Sequence, residues 1–279
     1  NEMTILSNED WKFFKKNGYV IVPGALPQKN LNAVIDAMYD FLGMTHDNPE
    51  DWYRVPLRTN GMVEMYHHQA MWDNRQHSRI HQIFTEIWGT EKLWVSIDRI
   101  SFKPPPHPSY PDYANEGFIH WDADTSKLPL SFGVQGVLYL TDTEENQGGF
   151  QCIPGIHHQL TDFGTNHPLD HKYKIPDLKK FIPQAVPGKA GDLLIWHRAL
   201  AHGSGYNASN NPRLAQYISM RPTRMGDEDY RQQRINLWKN REEPPSNAFP
   251  GDPRGWEKER PVAQLTSLGK KLLGLDMWG

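Results

Sequence analysis

At 279 residues with a formal charge of −3 and a pI near 6.5, the chain can bury a sizeable core but has no global field to draw it to nucleic acid or an anionic membrane. Its 38% hydrophobic and 23% charged residues are ordinary for a soluble globular protein, and no apolar run nears the roughly 18 residues that would read as a bilayer span. The single Cys152 rules out an internal disulfide and fits a reducing, cytoplasmic setting.

Ser7 stands before Asn8-Glu9-Asp10 and then Trp11, Phe13 and Phe14, a capping-box pattern that predicts a short amphipathic helix stopped at Gly18. Tyr19-Val20-Ile21-Val22 reads as a strand closed by Pro23-Gly24. Leu31, Val34, Ile35, Met38, Tyr39 and Leu42 follow helical spacing, and so do Ile80, Ile83, Phe84, Ile87 and Trp88 before Gly89. Beyond Gly89 the pattern changes. Leu93 to Phe102, Gly133 to Leu140, Phe150 to Ile153, Gln184 to Val186, Asp192 to Trp196 and Leu214 to Met220 read as strands, separated by Pro- and Gly-rich turns.

Many short strands between turn signals argue for a mainly β fold with flanking helices, a jelly-roll rather than a doubly wound sheet. The expected organisation is one domain: a helical part over 1–92, a jelly-roll core over about 93–222, and a polar, Pro-rich extension over 223–279. That extension ends in a helix-like segment around Leu265 to Leu275.

The chemistry concentrates in two stretches. In Gly117-Phe118-Ile119-His120-Trp121-Asp122, His120 and Asp122 are two apart, so in extended backbone they share a face and can hold one metal ion. His202, in His202-Gly203-Ser204, would complete the two-His, one-carboxylate set of non-haem Fe(II) oxygenases. Arg213 adds a guanidinium fork suited to a carboxylate. With 13 histidines in the chain, other candidates compete: His197 for His202, and Asp124 for Asp122. For His157 and His158, after the Pro154-Gly155 turn, and for His67 and His68, a structural role is the expected one.

The ordered set His120-x-Asp122, Pro154-Gly155-Ile156-His157, Gly191-Asp192-Leu193-Leu194 running to His197 and His202-Gly203-Ser204, then Asn207 and Arg213, resembles the phytanoyl-CoA dioxygenase family of Fe(II)/2-oxoglutarate-dependent oxygenases. The likeness spans roughly residues 93 to 222. It implies a double-stranded β-helix in which His120, Asp122 and His202 bind Fe(II), with His197 set aside, and 2-oxoglutarate and O₂ are co-substrates. Arg213, eleven positions after His202 as in the family, would anchor the distal carboxylate of 2-oxoglutarate. Ser204, Lys103 in Ile100-Ser101-Phe102-Lys103, and Gln135 match further co-substrate contacts.

The implied reaction couples decarboxylation of 2-oxoglutarate to hydroxylation of a small organic molecule. Asp122 argues against halogenation, because halogenating relatives lack the carboxylate ligand. Alternatives are an acyl-CoA hydroxylase of the same family, a jelly-roll binding protein without turnover, and a Zn²⁺ hydrolase; the last gives Arg213 no task. Residues 51–73, with Trp52, Tyr53, Arg54, Arg58, Met62, Met65, Tyr66 and Trp72, could be a substrate lid or core packing. No dense basic patch is evident along the chain, which favours a free small molecule over an acyl-CoA. The sequence leaves the oligomeric state open.

Overall fold

The computed structural model describes residues 4–53, 61–113, 117–161, 171–172, 175–176, 179–246 and 248–279. Helix α1 (Asn8–Asn17) begins with the expected capping box: Ser7 Oγ accepts from the Asp10 amide at 3.0 Å, and Asp10 Oδ2 accepts from the Ser7 amide at 2.9 Å. Gly18 ends it at φ 86°, a left-handed conformation that favours glycine. Strand β1 (Tyr19–Val22) follows, then α2 (Gln28–Leu42), β2 (Met62–Val63), α3 (Gln69–Arg75) and α4 (Ser78–Trp88). Among the described residues, the first 92 thus supply four α-helices and also two strands of the large sheet.

The remaining strands are β3 (Leu93–Val95), β4 (Ile100–Lys103), β5 (Val134–Tyr139), β6 (Phe150–Cys152), β7 (His171–Lys172), β8 (Ile175–Pro176), β9 (Gln184–Ala185), β10 (Leu193–His197), β11 (His202–Ser204), β12 (Arg213–Tyr217) and β13 (Met220–Pro222). Helices α5 (Glu228–Asn240) and α6 (Ser267–Leu273) close the chain. An antiparallel six-stranded sheet runs β1-β10-β5-β12-β4-β2, and a three-stranded sheet runs β11-β6-β9. Two smaller pairs are β13-β3 and β7-β8. No helix among the described residues is long and apolar enough to cross a membrane.

Two predicted strands are each broken. Leu93 to Phe102 gives β3 and β4, and Leu214 to Met220 gives β12 and β13. The breaks occur side by side, so β4 and β12 pair in the large sheet while β3 and β13 pair outside it. The first break falls at Ser96-Ile97-Asp98-Arg99 and the second at Ile218-Ser219, neither of which holds a Pro or Gly turn signal. The Pro-rich extension also holds a 13-residue helix, α5, that its polarity concealed.

The large sheet is buried on both faces, and alternation along each strand decides which residue goes where. Leu193 and Ile195 of β10, Leu138 of β5 and Leu214 of β12 join one apolar cluster with Leu31, Met38, Ile83, Phe84 and Leu272 from the helices. Leu194 and Trp196, Val137 and Tyr139, and Ala215 join a second cluster with Phe150 and Cys152 of the three-stranded sheet. Each fully buried Leu, Ile or Phe stabilises the fold by about 1.5–3 kcal/mol. The second face is the one that carries the polar site.

Candidate metal centre

Two glycines let two backbone segments meet. A Cβ on Gly203 would lie 2.0 Å from the Phe118 carbonyl oxygen, and one on Gly117 (φ 69°) 1.7 Å from that of Ser204. With no side chains there, the His120 amide donates to the His202 carbonyl at 2.9 Å and the His202 amide to the His120 carbonyl at 3.0 Å. Residues bridged in this way point their side chains to one face. The rings are 4.8 Å apart between centroids.

Asp122 completes the group. Its Oδ1 is 3.1 Å from His120 Nε2 and its Oδ2 3.2 Å from His202 Nε2. One ligating atom from each of the three residues lies within 4.8 Å of the others. His202 Nδ1 is 2.9 Å from the Leu200 carbonyl, and His120 Nδ1 is 3.3 Å from that of Phe118. A ring nitrogen that donates to a carbonyl fixes the tautomer and leaves Nε2 its lone pair for a metal. Burial alone would raise the Asp122 carboxyl, but the hydrogen bonds and charge of His120 and His202 outweigh it and hold it well below the usual carboxylate range.

Gln135 steadies the carboxylate: its Nε2 donates to Asp122 Oδ2 at 3.0 Å, while its Oε1 accepts from Trp196 Nε1 at 3.0 Å. Gln135, which the family likeness places at the co-substrate, also lines the cavity next to this carboxylate. Trp196 reads in the sequence only as the end of a strand, and the fold alone shows its part in this relay.

Arg213 lines the same cavity, of about 370 Å³, as His120, Asp122 and His202. Its residue is buried, and its Nη1 donates to Ser101 Oγ at 3.1 Å and to the Tyr217 hydroxyl at 3.3 Å. Among the described residues no carboxylate pairs with it. A buried guanidinium held only by hydroxyls is poised for an anion. Ser204 also lines the cavity. Lys103 does not; its ammonium donates to the Gly205 carbonyl and approaches Ser204 Oγ at 3.5 Å. Burial, and then the nearby Arg213, lower its pKa to about 8.

His197, His157, His67 and His68 have structural partners. His197 is buried against Phe14 and His157, and its Nδ1 accepts from the Ala199 amide at 2.9 Å. His157 Nε2 meets the Lys15 carbonyl at 2.9 Å, and His67 Nε2 that of Glu242 at 2.6 Å. His68 caps α3. Asp124 accepts from the Ser126 amide at 3.0 Å. Within residues 51–73, Met65 and Trp72 are core residues, whereas Met62 lines the cavity. Arg54 and Arg58 lie outside the described residues. Arg99 and Phe249 also form cavity wall, with the Arg99 guanidinium 3.5 Å above the Phe249 ring. Sequence pattern gave no signal for that contact between distant segments.

A sequence model of the phytanoyl-CoA dioxygenase (PhyH) family matches residues 14–215. The chain belongs to the PhyH family. The matched span runs from the end of α1 into β12 and includes His120, Asp122, His202 and Arg213, whereas Phe249 falls outside it. A putative phytanoyl-CoA dioxygenase of Dictyostelium discoideum is 21% identical over 262 residues, covering 76% of this chain and 75% of the relative. An ectoine dioxygenase of Halomonas elongata is 23% identical over 225 residues, covering 72% and 65%. The fold is also similar to that of the epimerase SnoN, solved in complex with Fe3+, alpha ketoglutarate and nogalamycin RO. That match has a TM-score of 0.55 at 19% identity, over 93% of this PhyH chain and 95% of SnoN.

Proposed function

We propose that this protein is an Fe(II)- and 2-oxoglutarate-dependent dioxygenase that hydroxylates a small organic molecule and releases succinate and CO₂. The observation that carries the reading is the convergence in one cavity of the His120–Asp122–His202 group with the buried Arg213. Two imidazole Nε2 atoms and one carboxylate form the donor set of non-haem Fe(II) oxygenases, so the residues fit that metal. The two packed sheets around the site support a double-stranded β-helix.

Bound Fe(II), together with 2-oxoglutarate and O₂, would supply the oxidising chemistry. The residues of the chain do the rest. His120, Asp122 and His202 hold the metal; Leu200 and Phe118 carbonyls fix the imidazoles, and Gln135 fixes the carboxylate. Arg213, set by Ser101 and Tyr217, receives the distal carboxylate of 2-oxoglutarate. Ser204 lines that cavity, and Lys103 secures the backbone beside it. Met62, Phe118 and Phe249 give the cavity an apolar wall against which a substrate can pack. Asp122 fills the position that halogenating relatives leave open, which supports hydroxylation.

The test is succinate release from 2-oxoglutarate. We expect it to require Fe(II) and O₂ and to be lost in His202→Ala. Undiminished succinate from that variant would refute the assignment.

A further inference from the structure

A second cavity, of about 390 Å³, adjoins the first, because Asp122 and Gln135 line both. Its wall also includes Arg198, Arg221 and Arg224. Arg221 lies within β13 and Arg224 just beyond it, whereas Arg198 directly follows β10. The fold therefore joins Arg198 to a pair of arginines distant from it in sequence.

Arg198 is built into place. Its amide donates to the Gly133 carbonyl at 2.8 Å, and its Nη1 donates to Ser131 Oγ at 3.0 Å. Its stem packs over bare Gly133, where a Cβ would come within 2.7 Å of Arg198 Cδ. Arg224 lies 4.0 Å above the Tyr230 ring. Beside them Phe132 meets Trp88 edge-on at 4.9 Å and is 43% exposed, giving an apolar floor.

The charge balance is one-sided. Asp122 is the one acidic residue of this wall among the described residues, and His120, His202 and Gln135 already engage it. Three guanidinium groups around one cavity repel each other unless an anion enters, and exposed arginines at its mouth would steer one in. Arg213 belongs to the first cavity and not to this one, so the two anion-binding positions are separate. Asp122, the candidate metal ligand, lies on the wall that the two cavities share.

We propose that this second cavity binds an anionic group, a carboxylate or a phosphate ester, of the molecule oxidised at the adjoining centre. The substrate role rests on the oxygenase reading; the anion site does not.

The experiment titrates the full chain, without metal, with phenyl phosphate, benzoate and the neutral benzamide, followed by ligand-observed NMR. Binding of an anion with benzamide about tenfold weaker or worse is expected, and the stronger anion tells phosphate from carboxylate. Arg198→Gln should weaken the anion about tenfold or more, the loss of a charge-assisted hydrogen bond. The exposed pair Arg221→Gln/Arg224→Gln, which leaves the core untouched, should weaken it too. Equal binding of benzamide, unaltered binding in both variants, or loss on Arg213→Gln instead would overturn the site.

A second arm adds Fe(II) and 2-oxoglutarate and reads succinate with a panel of acids and their amides. Stimulation by acids alone, lost in Arg198→Gln, supports the substrate role. Stimulation by amides as strong as by acids overturns that role while sparing the oxygenase reading. No succinate under any condition, with anion binding intact, overturns the oxygenase reading and the substrate role with it.

Discussion

The two faces of the six-stranded sheet come from the same strands and have opposite characters. Toward the helices, Leu193, Ile195, Leu138 and Leu214 are closed into an apolar cluster. Toward the three-stranded sheet, alternate positions of those strands and of β4 present Trp196, Gln135, Arg213 and Ser101, linked by hydrogen bonds to one another or to Asp122. His197 and His202 follow the same division. His197 continues the Leu193–Ile195 side of β10 and packs on Phe14, whereas His202 pairs with His120 across a backbone bridge and meets Asp122. Alternation along β10 turns His197 to the helix side, and the chain then crosses to β11 of the other sheet, where His202 faces Asp122.

The sharpest way to break this comparison is to exchange the roles of the two histidines. His202→Ala or Asp122→Ala should lower 2-oxoglutarate turnover by more than about 100-fold, beyond the usual cost of losing a supporting partner. His197→Ala should keep measurable turnover per folded molecule. Equal losses in a succinate assay would mean that the faces do not divide the labour.

Arg213→Ala tests the other end of the polar face. Removing a buried partner of a charge pair costs about 2–5 kcal/mol. The expected signature is a raised KM for 2-oxoglutarate, with metal affinity kept. On the helix face, Leu138→Ala should cost about 2–5 kcal/mol of stability in denaturant unfolding. Its folded fraction should turn over 2-oxoglutarate normally.

The smallest effect is on pH. Burial, then the neighbouring His157, lowers the His197 pKa from 6.5 to about 4; burial also lowers His157 to about 4. The unfolded chain therefore binds more protons than the folded one between these values. The contribution to stability is complete above pH 6.5 and is lost as pH falls toward 4. Melting temperature should drop through that window, and the drop should be shallower in His157→Gln/His197→Gln.

Much of this division was legible in the sequence. Leu31 to Leu42 and Ile80 to Trp88 repeat at helical spacing because their apolar sides face one core. Helix α5 shows no hydrophobic period because few of its residues are buried: Arg234 and Ile235, with the Arg234 guanidinium donating to the Val95, Leu272 and Leu273 carbonyls. A buried arginine that serves backbone carbonyls leaves no hydrophobic period to read. The candidate ligands could be named because their spacing is local or follows a family pattern. The Gln135–Trp196 relay, the Phe249 wall and the three-arginine cavity depend on contacts between distant segments. Alternation alone could assign Gln135 to a face but could not say that Asp122 waits there.

The central claim is that His120, Asp122 and His202 bind a metal on which 2-oxoglutarate is then held by Arg213. Anaerobic calorimetry tests it directly, titrating Fe(II) and then 2-oxoglutarate into the wild type, His202→Ala and Arg213→Ala. One Fe(II) per chain in the wild type, weak Fe(II) binding in His202→Ala, and Fe(II) without tight 2-oxoglutarate in Arg213→Ala are the predicted results. Fe(II) binding undiminished by His202→Ala, or 2-oxoglutarate affinity indifferent to Arg213, would contradict it.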